Sequence, residues 1–122
     1  MTQTVPHFEG RPRVEWPAGN GRAMQLIEPF VFVDKTGYRW EVFKGTIIDG
    51  SSVPRIFWPF TGSPYVGLHR EASIPHDLYC RIRIRSCEDT HRMYYNAMLV
   101  AGVPSGRARR KYNAVQVFGP RW

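Results

Sequence analysis

His76 and Asp77 stand side by side at the head of an apolar-periodic stretch, Ile74-Pro-His-Asp-Leu-Tyr-Cys80. Histidine is the side chain whose ordinary pKa lets it take or give a proton near neutrality. A carboxylate beside it can bind a cation or orient a water. Two further segments carry acids or hydroxyls: Asp49-Gly-Ser-Ser-Val-Pro54 upstream, and Asp89 downstream, in the first turn of what reads as the next helix.

Helix geometry says how these groups can meet. If the helix bearing His76 and the one opening at Ser86 form an antiparallel pair, residues equidistant from the middle of their connection oppose each other. That reckoning sets His76 opposite the region of Met93, with Asp89 one turn away on the same face. Asp89 would then hold one imidazole nitrogen and leave the other free to act as a general base on water. Asp77 and Asp49 offer hard oxygen ligands of the kind that suit calcium or magnesium. Ser52 supplies a supporting hydroxyl. As a nucleophile, Ser51 or Ser52 lacks the surrounding nucleophile-elbow pattern. A plainer reading stands beside this one. His76 caps a helix, Asp77 and Asp89 offset the positive ends of helices, and Asp49 to Pro54 forms a turn and a cap. The sequence leaves the choice between enzyme and non-enzyme open.

His7, His69, His76 and His91 are scattered and show no finger-like spacing with one another or with the cysteines, so no zinc site is expected. Cys80 and Cys87, the only cysteines, form no disulfide framework and are expected to be reduced, buried thiols.

The elements that must position these residues follow from pattern. Residues 1–22 are rich in Pro, Gly and Arg without periodicity and read as an extended arm that orders against a partner. Residues 23–122 then form a single domain. Within it, 24–33 is rich in β-formers, Asp34-Lys-Thr-Gly37 is a turn, and Tyr38, Trp40 and Val42 alternate with Arg39 and Glu41. That is a β-hairpin or small antiparallel sheet. Helical periodicity starts near Val66 and must either begin again or kink at Pro75. A second helix opens at Ser86-Cys-Glu-Asp89 and closes at Gly102, with Pro104 beyond it. A third runs from about Ser105 to Phe118 with an apolar stripe of Ala108, Tyr112, Val115 and Phe118. Strands first and about three helices after them define an α+β class.

Seventeen Lys and Arg against ten Asp and Glu give 122 residues a net charge of +7, mostly from arginine. Such a surface attracts nucleic acid, anionic lipid or an acidic protein. The arginine-rich segments are Arg81-Ile-Arg-Ile-Arg85 and Arg107-Ala-Arg-Arg-Lys111. Neither matches a known nucleic-acid motif. No apolar run is long enough to cross a bilayer, and the first residues lack the features of a signal peptide. The chain is expected to be made in the cytoplasm and not to span a membrane.

The order of these motifs resembles the DUF1353 family, small proteins of unknown function common in tailed bacteriophages and prophages. The resemblance rests on Asp49-Gly-Ser-Ser-Val-Pro-Arg55 with Trp58, on Ala72-Ser-Ile-Pro-His-Asp77, on Asp89, and on the Tyr112 to Gly119 helix ending near Trp122. It implies a phage late-module protein, made in the host cytoplasm and carried in the virion as a head, neck or tail accessory. Its implied partners are other virion proteins, in homo- or hetero-oligomers. A second likeness is to secretory phospholipases of the A-two type, which carry a catalytic His, a calcium-binding Asp next to it and an orienting Asp on a second helix. His76, Asp77 and Asp89 stand in that order, but Cys80 holds the place of the lipase Tyr and the disulfide frame is absent. The likeness implies a hydrolase acting on the host envelope. The resemblance to a virion protein equally allows a non-catalytic assembly protein.

Overall fold

The computed structural model describes residues 4–15, 24–48 and 70–122. Among these residues, six short strands precede three helices: β1 (His7–Glu9), β2 (Val14–Glu15), β3 (Met24–Leu26), β4 (Phe30–Val33), β5 (Arg39–Val42), β6 (Ile47–Ile48), α1 (Arg70–Ile82), α2 (Cys87–Val100) and α3 (Ser105–Phe118). The strands form two antiparallel sheets of three, ordered β1-β4-β5 and β2-β3-β6. This is the expected α+β arrangement.

The β4–β5 hairpin is the expected one, with Phe32 opposite Trp40 and Phe30 opposite Val42. Asp34 builds its turn. One carboxylate oxygen accepts from the Thr36 and Tyr38 amides, and the other accepts the Trp40 indole N–H at 3.0 Å. Those hydrogen bonds hold the Asp34 carboxyl below its usual pKa despite the opposing cost of burial. In β5, Trp40 and Val42 face inward and Arg39 and Glu41 outward, as the alternation requires.

Of the expected arm over residues 1–22, the described residues 4–15 pair with the strands of the domain. His7, Phe8 and Glu9 pair with Val33, Phe32 and Val31, and Val14 and Glu15 pair with Leu26 and Gln25. Phe8 stacks on Phe30 at 5.3 Å, and Arg39 bridges to Glu9 at 2.8 Å. A strand this short has no legible pattern of its own. It forms because β4 offers an unpaired edge and one aromatic ring fills it.

Pro75 lies inside α1, which runs through it. Losing a single backbone donor is outweighed by burying Ala72, Ile74, Leu78 and Tyr79. The Ser86 hydroxyl accepts from the Asp89 amide at 3.1 Å, the expected cap of α2. Gly102, at φ +96°, ends that helix in the left-handed region that favours glycine.

The inward stripe of α3 differs from the expected one. Ala108, Lys111 and Val115 are buried, Tyr112 is half-buried against Tyr95, and Phe118 is exposed. The long aliphatic stem of Lys111 fills an inward position that a lysine reads as refusing. Burial, with Arg107 and Arg110 adding to it, pushes its ammonium down to about 8. Between that value and the usual 10.5 the unfolded chain holds a proton that the folded chain lacks, so stability rises with pH there. At neutral pH both states are charged and the whole cost is present. Lys111→Met is therefore expected to stabilise the protein by about 1–2 kcal/mol at pH near 7. The gain should shrink above pH 8. Urea unfolding of both proteins at neutral and alkaline pH checks it.

Candidate functional site

The site is built where α1 and α2 pack as an antiparallel pair. His76 is fully buried on α1 and is joined there by Cys80 one turn on. Its Nε2 lies 2.8 Å from Nδ1 of His91, which α2 presents from the other side. The Cys80 Sγ stands 3.6 Å from the same Nε2. Tyr94 stacks on the His76 ring at 4.3 Å with the planes 20° apart. The ring is thus fixed from one face and held at one edge.

Hydrogen bonding sets the tautomers. His91 Nε2 is 3.1 Å from the Pro120 carbonyl, which can only accept, so that nitrogen carries the proton. In the neutral ring Nδ1 is then the acceptor, and His76 must donate its Nε2–H to it. A proton-ordered chain results, from His76 through His91 to Pro120. Its far end depends on Gly119, where a β-carbon would sit 2.4 Å from the Val115 carbonyl oxygen. Only glycine lets the backbone pass that close and deliver Pro120. The opposite nitrogen of His76, Nδ1, is buried and has no hydrogen-bond partner among the described residues.

Both imidazoles are held neutral. Burial drives His76 well below the usual histidine value, and the neighbouring charge of His91 adds to it. Burial also lowers His91, opposed by the Pro120 hydrogen bond. The Cys80 thiol is pushed far up by burial and remains protonated. Both cysteines are free thiols; Cys80 is buried and Cys87 half-buried.

The expected residues are placed as follows. His76 and Asp77 are both buried on α1, and the Asp77 carboxylate lies 3.5 Å from Arg81. Asp89 has no place in the His76 cluster. Its carboxylate turns outward to Arg85 at 3.3 Å and Arg92 at 3.6 Å. The partner that orients His76 is His91. Asp49 and Ser52 lie outside the described residues. Among the described residues, the ligand-bearing atoms close enough to share one ion belong to His76, Cys80 and His91, all within 4.8 Å of one another. Asp77 is not in that set. The spacing along the sequence, which shows no finger-like pattern, does not reveal this cluster.

One signal in the chain points to this cluster. His76 and Cys80 are four apart, which is one helical face. The middle of the 83–86 connection between α1 and α2 would set His76 opposite Met93, but the structure sets it opposite His91. The reflection point lies nearer Arg83, which adopts φ 55° just after α1 ends.

DUF1353, described as a protein of unknown function, matches residues 24–115. The chain therefore belongs to the DUF1353 family. It is 41% identical over 98 residues to uncharacterized protein y4jT of Sinorhizobium fredii (strain NBRC 101917 / NGR234), covering 80% of this chain and 29% of that protein. It is 40% identical over 104 residues to uncharacterized protein y4iH of the same strain, covering 85% of this chain and 44% of that protein. The chain spans less than half the length of these curated relatives. No solved structure matches.

Proposed function

We propose that this domain is a non-catalytic assembly module of a tailed-phage or prophage particle, with a fastened interior and a basic exterior for contact with anionic partners. The observation that carries the reading is the burial of His76. Its Nε2 is committed to His91, and the acid expected to activate it faces solvent instead. A group so placed locks two helices together. The cations, by contrast, face outward: Arg81, Arg83, Arg107, Arg109 and Arg110 are all exposed. The same domain recurs within longer relatives, as a binding module does. The phage setting rests on the family resemblance. No helix among the described residues is long and apolar enough to cross a membrane.

Binding to a short DNA duplex and to phosphatidylserine vesicles tests this, with light scattering reporting self-association in the same samples. Binding should fall steeply with added salt, because each neutralised phosphate releases counterions. Replacing Arg107, Arg109 and Arg110 by Gln should weaken it by about tenfold or more at low salt. Absence of binding to either surface, together with a monomer at every concentration, would overturn the reading.

One observation favours a second reading, a hydrolase acting on the envelope. The bare Nδ1 of His76 is the nitrogen that a general base would use. Turnover of a phospholipid or cell-wall substrate, lost in His76→Gln, would establish it.

A further inference from the structure

We propose that His76, Cys80 and His91 form a binding site for a single zinc ion that clasps α1 to α2. This site is separate from the oxygen-ligand site expected at Asp77 and Asp49, and it does not rest on the assembly reading.

The donor set is the first ground. Two imidazole nitrogens and one thiol sulfur, from two helices, have ligand atoms within 4.8 Å of one another. Mixed nitrogen and sulfur donors suit zinc and disfavour calcium or magnesium. Distance is the second. Tetrahedral zinc, with bonds of about 2.0–2.1 Å to nitrogen and 2.3 Å to sulfur, needs N···S near 3.6 Å and N···N near 3.3 Å. Cys80 Sγ and His76 Nε2 already stand 3.6 Å apart. The two nitrogens, at 2.8 Å, must part by roughly half an ångström.

Orientation is the third ground. Zinc-binding histidines almost always donate their other N–H to a carbonyl or carboxylate. His91 does so already: Nε2–H points at Pro120 O, which turns the Nδ1 lone pair into the cluster. His76 must exchange tautomers, its proton leaving Nε2 for Nδ1, the buried nitrogen that has no hydrogen-bond partner among the described residues. The remaining balance is simple. The Cys80 S–H bond breaks, an S–Zn bond forms, and one proton leaves to solvent for each ion bound. No redox change is involved. Of the three ligands, His91 also lines a surface cleft, together with Cys87, Glu88, Gln116, Val117, Arg121 and Trp122. Three protein ligands leave a fourth position for water.

The test uses the full chain, stripped with chelator and kept reduced, then titrated with zinc alone and, separately, with cobalt alone. One zinc per chain should remain after dialysis and raise the thermal midpoint. Cobalt should give the visible bands of a tetrahedral ion and a thiolate charge-transfer band in the near ultraviolet. Cys80→Ser should remove the charge-transfer band, and His91→Gln should lower zinc affinity by more than about 100-fold. Cys87→Ser, at the half-buried cysteine outside the set, should leave both unchanged. Failure of the wild-type chain to retain zinc would overturn the proposal. So would equal retention in Cys80→Ser and His91→Gln, or loss of the charge-transfer band in Cys87→Ser alone.

Discussion

Replacing Trp40 by alanine is expected to destabilise the protein by about 3–5 kcal/mol, the upper range for deleting a buried aromatic. Trp40 is 1% exposed and joins three parts of the molecule. Its indole N–H closes the Asp34 turn at 3.0 Å, and its ring meets Tyr38 at 5.0 Å and Tyr79 of α1 at 4.9 Å, both edge-on. The Arg85 guanidinium lies over the same ring at 5.0 Å and over Tyr38 at 3.9 Å. The substitution thus opens a cavity, leaves a half-buried carboxylate short of one donor, and uncouples the hairpin from the helices. Since small domains have about 5–15 kcal/mol in all, a large share of stability should go. Trp40→Phe keeps much of the volume and loses the donor, so about 1–2 kcal/mol is expected from it. Denaturant unfolding of the three proteins checks the ordering. A loss under about 1 kcal/mol for the alanine variant would mean that the ring is not where the core is joined.

The second large effect is at His91. His91→Leu removes the acceptor of the His76 Nε2–H and the donor to Pro120 O in one step. The buried His76 N–H left without its acceptor costs about 1–3 kcal/mol, while the half-buried Pro120 carbonyl still has Cys87 Sγ at 3.5 Å, so a loss of about 2 kcal/mol is expected. Removing both imidazoles should cost less than the two single changes added together. The His76→Leu/His91→Leu double variant no longer strands either ring, and a coupling of about 1–2 kcal/mol should emerge from the cycle. Strict additivity would mean that the 2.8 Å contact contributes nothing.

The parts of the fold that could be read in the sequence are those whose signals are local. The β4–β5 hairpin follows from turn residues and alternation within twenty positions, and the limits of α2 follow from a serine cap and a terminal glycine. The parts that could not be read depend on partners far along the chain. β1 has three residues and exists because β4 presents an edge to it. Lys111 reads as a surface cation, yet its stem completes the inward face of α3.

The candidate site divides the same way. That His76 and Asp77 share one helix was legible from periodicity, but their burial and the identity of the facing residue were not. It depends on where the connection between α1 and α2 folds back, and a shift of two positions exchanges Met93 for His91 as the neighbour of His76. Asp89 reads in the sequence as an acid near a histidine. Its backbone amide serves the Ser86 cap, and its carboxylate serves two arginines on the outer surface.

The central claim is that His76 is a closed-in group held by His91 rather than a base open to solvent. Long-range proton–nitrogen NMR of the metal-free, labelled protein tests it most directly, because it reports the protonation of each ring nitrogen separately. The account predicts a single slow tautomer for His76, with Nε2 protonated and Nδ1 bare, unchanged as pH falls from about 7.5 to 5.5 across the normal histidine range. His76 signals that average between tautomers and titrate near 6.5, as a free imidazole does, would contradict it.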